Sequence, residues 1–268
     1  MAAAATLTDA TAALRADPAR AAILLDVDGT LAPVVRDPDQ ASVPELVRRQ
    51  LLAVTERYGF VACVSGRRAS VARRIVGLGS IPYAGNHGIE LLRRGAVSVE
   101  VDPEAERWTD RVHAIVEHAG DERLRAAGLR WEDKGPIVAL HWRAAEDEVA
   151  AESLARDLAL TARQAGLVIH EGRKVLELRP PVPISKARAV RRLLEGVDVD
   201  VALYAGDDRT DVDAFEGLRE LVEEGRLRSA LCVGVRSPES PPEILKAADL
   251  LVPAGDGVRS LLRALSEA

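Results

Sequence analysis

The stretch Ile23-Leu24-Leu25-Asp26-Val27-Asp28-Gly29-Thr30-Leu31 constrains the fold of this chain most strongly. Its apolar start has the length and composition of a buried strand, and the run ends abruptly in two carboxylates. Open parallel sheets bind ligands beyond the carboxyl ends of their strands, so acids at that place favour a functional site. A solvated turn, in which Asp-Gly is common, is the alternative for this segment alone.

The composition narrows the class of protein. The chain has 268 residues, of which 47% are hydrophobic, enough for one large or two modest domains. The 36 Lys and Arg residues against 42 Asp and Glu give a net charge of -6, which disfavours a nucleic-acid partner. No apolar run approaches the ~20 residues that span a bilayer, and we expect neither a secretory signal nor a membrane partner.

Several common catalytic patterns are missing. The two cysteines, Cys63 and Cys232, lie in apolar runs, and neither begins a Cys-x5-Arg phosphate loop. We interpret them as reduced core residues of an intracellular protein and expect a cytoplasmic location. The Walker A, Gly-x-Ser-x-Gly, His-Glu-x-x-His and calcium-loop patterns are also absent from the sequence.

The order of predicted elements changes twice along the chain. After a predicted helix over residues 1–20, strands and helices alternate, which predicts a parallel sheet with helices on both faces. Residues 99–180 instead combine helices with hairpin-like strand pairs, typical of an α+β module with an antiparallel sheet. The first pattern then returns. We therefore predict a Rossmann-like α/β core of residues 1–98 and 181–268, interrupted by an α+β cap of residues 99–180.

Two further polar clusters begin predicted helices. Ser65-Gly66-Arg67 follows a buried strand and offers a hydroxyl and N–H groups to an anion, or forms an ordinary N-cap. Lys186 lies at the positive end of a predicted helix, where its charge is unfavourable unless it shares a bound anion with the helix terminus. An exposed, flexible lysine is the alternative.

A fourth cluster, Gly206-Asp207-Asp208-Arg209-Thr210-Asp211-Val212-Asp213, follows another buried strand. Its aspartates repel one another, and a divalent cation with oxygen ligands would compensate their charge. Helix capping accounts for Asp211 and Asp213 but hardly for Asp207 and Asp208. Together, the four clusters indicate transfer of a phosphoryl group to an aspartate and then to water.

The order of these motifs resembles that of phosphatases of the haloacid dehalogenase superfamily, and more narrowly of the trehalose-6-phosphate phosphatases. The superfamily motifs are matched by Asp26-Val27-Asp28-Gly29-Thr30-Leu31, Ser65, Lys186, and Gly206-Asp207-Asp208 with Asp211. The narrower resemblance covers nearly the whole chain after residue 20. It rests on Ser65-Gly66-Arg67, Gly85-Asn86-His87-Gly88-Ile89-Glu90, Trp131-Glu132-Asp133-Lys134, Leu140-His141-Trp142-Arg143, the run from Gly172 to Pro180, and Gly206-Asp207-Asp208-Arg209-Thr210-Asp211.

The resemblance implies a phosphatase that uses Mg²⁺ and an aspartyl-phosphate intermediate. Asp26 would attack phosphorus, Asp28 would act as general acid and then base, and Ser65 and Lys186 would hold the phosphoryl oxygens. Asp208 would orient Lys186, and Gly66 would have a supporting role. The metal ligands implied are Asp26, the backbone carbonyl of Asp28, Asp207 and, in the same shell or the next, Asp211.

The implied substrate is a phosphorylated disaccharide, trehalose 6-phosphate, which the cap would select. The residues expected to bind it are Arg67, Asn86, His87 and Glu90 in the core and Lys134, Arg143, Arg173 and Glu177 in the cap. For the cap residues, surface salt bridges are the alternative.

Three positions depart from the family pattern. Val27 replaces a common aromatic residue, Ala187 replaces a usual glycine, and Val212 replaces a typical glutamate. The last of these leaves open the details of the metal shell and the preferred sugar. Two alternatives to this function stay open: a phosphatase for another sugar phosphate, such as a glucosyl- or mannosyl-phosphoglycerate or a pseudo-disaccharide phosphate, and a non-catalytic sugar-phosphate-binding partner of a trehalose-phosphate synthase. The sequence does not specify the oligomeric state, and a monomer is one option.

Overall fold

The computed structural model describes residues 6–35, 38–172 and 174–267. The chain forms two compact units: a core unit, which runs up to Glu100 and resumes at Ile184, and an inserted unit from Val101 to Pro183. An eight-stranded and a four-stranded sheet are present. The predicted fold class, an α/β core with an inserted α+β module, is confirmed.

The strands follow one another in chain order, and their bounds locate the two sheets. They are β1 (Ala21–Asp26), β2 (Phe60–Val64), β3 (Tyr83–Gly85), β4 (Glu90–Leu92), β5 (Glu100–Val101), β6 (Arg130–Asp133), β7 (Val138–His141), β8 (Val168–Gly172), β9 (Val175–Arg179), β10 (Val201–Gly206), β11 (Ser229–Arg236) and β12 (Leu250–Pro253).

The helices alternate with these strands in the core unit and cluster in the inserted unit. They are α1 (Leu7–Ala10), α2 (Ala12–Ala16), α3 (Glu45–Arg57), α4 (Ala69–Val76), α5 (Pro103–Glu106), α6 (Thr109–Ala119), α7 (Asp121–Ala126), α8 (Glu148–Gln164), α9 (Lys186–Leu194), α10 (Arg209–Glu223), α11 (Pro242–Ala247) and α12 (Asp256–Ser266). Short 3₁₀ helices span Pro18–Arg20, Pro38–Gln40 and Asn86–Gly88.

The core sheet has the strand order β12-β11-β10-β1-β2-β3-β4-β5, with β1 between β10 and β2 and parallel to both. Ile23 and Leu25 point into an apolar cluster that includes residues of α3, α4 and α12, whereas Ala22 and Leu24 point into a second cluster with α9, α10 and α11. Helices therefore cover both faces of the strand. In the register, Asp26 pairs with Val64, so the ends of β1 and β2 lie side by side.

The inserted unit is built on an antiparallel sheet with the order β6-β7-β9-β8. Leu140 lies opposite Leu176, and both belong to an apolar cluster formed with α6 and α8. Because side chains alternate along a strand, the neighbouring pair of Ala139 and Glu177 belongs to the other face. The face of the sheet that turns away from α6 and α8 therefore carries Glu177.

The start of the chain differs from the prediction. Residues 1–5 lie outside the described part, and the predicted single helix is wrong for the remainder, which forms α1, α2 and a 3₁₀ turn. The hydroxyl of Thr11 donates to the carbonyl of Leu7 at 2.8 Å where α1 ends, and Pro18 cannot continue a helix. Among the described residues, none of the helices combines the length and apolar character needed to cross a bilayer.

Candidate active site

Lys186 and Asp26 meet at the carboxyl end of β1. Ser185 caps α9 by accepting the N–H of Arg188 at 3.2 Å, which makes Lys186 the first residue of the helix. Its ammonium donates to Oδ1 of Asp26 and to Oδ1 of Asp211, each at 2.6 Å. Burial alone would lower the pKa of Lys186, but the carboxylates of Asp211 and Asp26 raise it, so the side chain stays charged.

Both oxygens of Asp211 are occupied. Oδ1 accepts from the ammonium of Lys186 and from the hydroxyl of Tyr204 at 2.6 Å, while Oδ2 accepts the N–H groups of Asp207 at 3.1 Å and Asp208 at 3.0 Å. A Cβ atom at Gly206 would lie 2.2 Å from Cγ of Asp211, so only glycine fits there. Asp211 thus accepts four hydrogen bonds that fix its carboxylate, and one of them holds the ammonium of Lys186 in place.

Asp208 does not have the predicted contact with Lys186. Its carboxylate accepts the N–H of Arg209 at 2.6 Å and caps α10 from an exposed position. The prediction that Asp208 orients Lys186 is corrected in favour of Asp211. The reason is helical geometry: Asp208 is the N-cap, whereas Asp211, three residues later, lies on the buried side of the first turn.

Asp26, Asp207 and Asp211 form a group in which one carboxylate oxygen from each residue lies within 4.8 Å of the other two. Burial, reinforced by the charge of Asp211, raises the pKa of Asp207 to about 7. Burial also raises the pKa of Asp26, with contributions from Asp211 and Asp207 that Lys186 partly opposes. Three carboxylates against one ammonium leave two negative charges when all are ionised. A divalent cation that prefers oxygen ligands, such as Mg²⁺, matches this site in charge and donor type.

Gly29 gives Asp207 its place in this group. Its φ of +85° belongs to the left-handed region, and a Cβ atom there would lie 2.0 Å from Oδ2 of Asp207. The hydroxyl of Thr30 donates to Oδ1 of Asp207 at 3.4 Å. The Asp-Gly-Thr turn therefore leaves room for the carboxylate of Asp207, which directly follows the neighbouring β10.

Asp28 lies beside Arg67, on the turn that follows β1. Nε of Arg67 donates to Oδ2 of Asp28 at 2.8 Å, and Nη2 donates to Oδ1 at 2.7 Å. Both side chains keep part of their surface exposed, 33% for Asp28 and 23% for Arg67. The structure thus brings together an acid that was predicted to be catalytic and an arginine that was predicted to bind substrate.

The loop after β2 is braced by the 3₁₀ turn of Asn86 and His87. Oγ of Ser65 accepts the N–H of Arg67 at 3.1 Å, and the carbonyl of Arg67 accepts the N–H of Asn86 at 2.7 Å. The carbonyl of Ser65 accepts the N–H of His87 at 3.1 Å. A Cβ atom at Gly66 would lie 2.7 Å from Cε1 of His87, so the predicted support by Gly66 consists of making room for this ring.

Glu90 is completely buried, at 0% exposure. Its Oε2 accepts the N–H of Ala69 at 2.7 Å, and its Oε1 accepts Nε of Arg68 at 3.2 Å. These contacts hold the first turn of α4, which gives Glu90 a structural role in the core unit; its contact with substrate stays a prediction.

In the inserted unit, Lys134 and Glu177 are brought together. Nζ of Lys134 lies 2.9 Å from Oε1 of Glu177, and Nε of Arg179 donates to Oε2 of the same carboxylate at 2.8 Å. Arg143 is exposed, and the predicted Arg173 lies outside the described residues.

Sequence reasoning missed Arg179, although its spacing of two residues from Glu177 on one strand places both on the same face. It also missed Tyr204, which has no signal beyond an ordinary buried strand position.

The three departures from the family pattern leave the carboxylate group intact. Val27 is fully buried in the core, and Val212 packs against the apolar cluster around α10. Ala187 lies in the contact between α9 and α10, where a Cβ atom at Gly217 would come within 2.8 Å of its Cα. Val212 is therefore a packing residue in this chain.

Two plant proteins are similar to this chain in sequence. "Probable trehalose-phosphate phosphatase 4" of Oryza sativa subsp. japonica is 32% identical over 211 residues, which are 74% of this chain and 55% of that protein. "Probable trehalose-phosphate phosphatase G" of Arabidopsis thaliana is 29% identical over 258 residues, 84% of this chain and 67% of that protein. The chain thus spans between about half and two thirds of the length of these relatives.

Solved structures share the fold. The C-terminal domain of the C. albicans trehalose-6-phosphate phosphatase has a TM-score of 0.72 at 21% identity, covering 95% of this chain and 96% of that one. A haloacid dehalogenase-like hydrolase from Bacteroides thetaiotaomicron has a TM-score of 0.65 at 15% identity, covering 90% and 98%. The family model described as trehalose-phosphatase matches residues 24–242. Because this match spans well over half of the sequence, the chain belongs to the trehalose-phosphatase family.

Proposed function

We propose that this chain hydrolyses trehalose 6-phosphate to trehalose and phosphate. The observation that carries the proposal is the buried contact of Lys186 with Asp26 beside Asp207, at the carboxyl end of β1. This arrangement offers a nucleophile, a cation for phosphoryl oxygens and carboxylates for a metal ion within one small volume. Membership of the trehalose-phosphatase family supports the choice of substrate.

The first step is the attack of an Asp26 oxygen on phosphorus. The bond between phosphorus and the sugar oxygen breaks, and an aspartyl-phosphate forms on Asp26. In the transition state, the negative phosphoryl oxygens approach the negative carboxylate of Asp26. The positive charge of Lys186 reduces this repulsion. The hydroxyl of Ser65, at the end of the neighbouring β2, supports the same group by hydrogen bonding.

Asp28 moves the protons. It gives a proton to the departing sugar oxygen in the first step and accepts one from the attacking water in the second. Water then releases phosphate, Asp26 regains its free carboxylate, and Asp28 is protonated again for the next cycle. The reaction therefore leaves the chain unchanged after two displacements.

Asp26, Asp207 and the backbone carbonyl of Asp28 would hold Mg²⁺, with Asp211 behind them. Such an ion would supply positive charge that stabilises the phosphoryl oxygens in the transition state. Asp211 is better suited to the outer position because its two oxygens already accept four hydrogen bonds. Its main task in this proposal is to hold Lys186 in place.

The inserted unit supplies the groups that choose the sugar. Lys134, Glu177 and Arg179 form one hydrogen-bonded set of donors and acceptors, which suits the hydroxyls of a disaccharide. We assign Arg143 and Arg173 to the same task. For Asn86 and His87, which belong to the core unit, we keep the substrate-binding role expected from the resemblance. The buried, unpaired cysteines Cys63 and Cys232 support a cytoplasmic location.

A panel of phosphorylated sugars tests the proposal. Phosphate release is measured with Mg²⁺ from trehalose 6-phosphate, glucose 6-phosphate, glucosyl-phosphoglycerate and mannosyl-phosphoglycerate. We expect trehalose 6-phosphate to be hydrolysed with the highest kcat/KM, and Asp26→Asn to abolish release. The proposal is wrong if trehalose 6-phosphate releases no more phosphate than glucose 6-phosphate does.

A further inference from the structure

The carboxylate of Asp28 is held at both oxygens by one side chain. Nε and Nη2 of Arg67 donate to Oδ2 and Oδ1 at 2.8 and 2.7 Å, the two-pronged geometry that arginine makes with carboxylates. Within the described part of the chain, these are the hydrogen bonds that the Asp28 side chain accepts. The orientation of this carboxylate therefore depends on Arg67.

Arg67 itself is presented by a braced loop. Its N–H donates to Oγ of Ser65 at 3.1 Å, and its carbonyl accepts the N–H of Asn86 at 2.7 Å. The strands β1 and β2 are in register, with Asp26 beside Val64, so the segments that follow them carry Asp28 and Arg67 to neighbouring places. The backbone N–H and the backbone carbonyl of Arg67 are thus both held by hydrogen bonds, and its guanidinium extends from this fixed backbone to Asp28.

We infer that Arg67 is a positioning residue that acts through Asp28, a role that rests on the proposed function. A carboxylate on a short side chain rotates freely unless a partner fixes its plane, and proton transfer needs the acid or base within hydrogen-bond reach of the reacting oxygen. The two-pronged contact fixes that plane, which a single ammonium cannot do. This role replaces the direct substrate contact expected for Arg67.

The same contact suits both proton transfers. When Asp28 accepts a proton from water, both of its carboxylate oxygens already accept hydrogen bonds from Arg67, which fixes the plane of the group. When Asp28 gives a proton to the sugar oxygen, one carboxyl oxygen carries that proton and the other keeps its hydrogen bond to the guanidinium. Arg67 therefore remains attached while the proton is moved, and it makes no bond to the sugar itself.

Single substitutions separate the two possible roles. We expect Arg67→Ala to lower kcat by about 100-fold, the usual contribution of a positioned acid or base, while KM changes by less than about threefold. Arg67→Lys is expected to recover only part of the loss, because it keeps the charge but not the two-pronged geometry. Arg74→Ala, an exposed position on α4, is the matched control and should leave kcat and KM unchanged.

A double-mutant cycle with Asp28→Asn tests whether the two residues act together. The rate of phosphate release from trehalose 6-phosphate is measured in single-turnover assays. If Arg67 acts through Asp28, adding Arg67→Ala or Arg67→Lys to Asp28→Asn changes the rate by less than about twofold. If either adds its full loss in that background, or if the single variants raise KM at unchanged kcat, the role is wrong. Thermal unfolding of all variants, compared with Arg74→Ala, identifies losses of activity that come from misfolding. If Arg67→Ala does not fold, the double-mutant cycle is measured with Arg67→Lys alone.

The outcomes distinguish this inference from the proposed function. A wild-type protein that releases no phosphate from any of the sugar phosphates overturns both. Phosphate release combined with an additive cycle overturns the role of Arg67 alone. Release from a different sugar phosphate, combined with a non-additive cycle on that substrate, leaves the role of Arg67 standing while the choice of sugar changes.

Discussion

The ammonium of Lys186 lies 2.6 Å from Oδ1 of Asp26, and both side chains are at least 95% buried. This contact joins the end of β1 to the start of α9. In the sequence, the whole inserted unit lies between these two elements. Lys186 also bonds to Asp211, so one cation serves two buried carboxylates. The activity and the stability of the core unit should therefore both depend on this residue.

Lys186→Met tests that dependence. We expect kcat to fall by about 100- to 1,000-fold, because the substitution removes a fixed positive group from the phosphoryl oxygens. Without Mg²⁺, the free energy of unfolding should fall by about 3–5 kcal/mol, since buried carboxylates lose their partner. Chemical denaturation and phosphate release measure the two effects. Lys246→Met, at an exposed position, is the control, and equal behaviour of the two variants would contradict the account.

Tyr204→Phe removes the hydroxyl that donates to Asp211 at 2.6 Å. Hydrogen bonds to charged groups contribute about 1.5–3 kcal/mol, so we expect the free energy of unfolding to fall by about that amount and kcat to fall as Lys186 loses its support. The hydroxyl of Tyr58 is buried and has no hydrogen-bond partner among the described residues. Tyr58→Phe is thus the matched control and should be neutral. A neutral Tyr204→Phe would show that Asp211 does not need this donor.

The stabilisation by Mg²⁺ should depend on pH. The pKa of Asp207 is raised by burial to about 7 in the absence of metal, whereas an unfolded aspartate has a pKa of about 4. The folded, metal-free state therefore holds a proton that the unfolded state has released, and its free energy of unfolding falls as pH rises between these values. Mg²⁺ needs the ionised carboxylates, so its stabilising effect should grow as pH rises through about 7.

Thermal unfolding with saturating Mg²⁺ or EDTA at a series of pH values measures this effect. The difference in melting temperature should increase from about pH 5 to about pH 8 in the wild-type protein, and Asp207→Asn should flatten it. A difference that is the same at both ends of this range in the wild type would contradict the proposed metal site.

Glu177→Gln tests the sugar-binding role of the inserted unit. The substitution keeps the shape but weakens the contacts with Lys134 and Arg179. We expect kcat/KM for trehalose 6-phosphate to fall by about 10- to 100-fold, as for the loss of a charged hydrogen bond. Hydrolysis of a simple aryl phosphate should change little. Glu171→Gln, on the exposed part of β8, is the control. Equal losses on both substrates would place the defect outside sugar binding.

The sequence predicted which polar side chains of the core unit lie at strand ends, because strands and helices alternate there in a recognisable order. Asp26, Ser65 and Asp207 each follow an apolar run, and strand ends in a parallel sheet share one edge, so their approach could be expected before the structure was known. The roles within the fourth motif could not be predicted as well. Whether Asp208 or Asp211 reaches Lys186 depends on where α10 begins, and helix ends are poorly specified by local sequence.

Contacts between distant segments were the least predictable. The hydroxyl of Tyr204 and the guanidinium of Arg179 belong to residues that fit a strand pattern, and their partners depend on tertiary packing. The contact of Glu90 with the N–H of Ala69 at the start of α4 is of the same kind, since the two residues are 21 positions apart in the sequence.

The most direct test of the account is to trap the phosphoryl group on the chain. Wild-type protein is mixed with trehalose 6-phosphate and Mg²⁺, quenched in acid during turnover, digested, and analysed by mass spectrometry. We expect a phosphorylated peptide with the modification on Asp26, sensitive to hydroxylamine as acyl phosphates are, and no such peptide from Asp26→Asn. Turnover without a covalent intermediate, or phosphate on a different residue, would contradict the central claim.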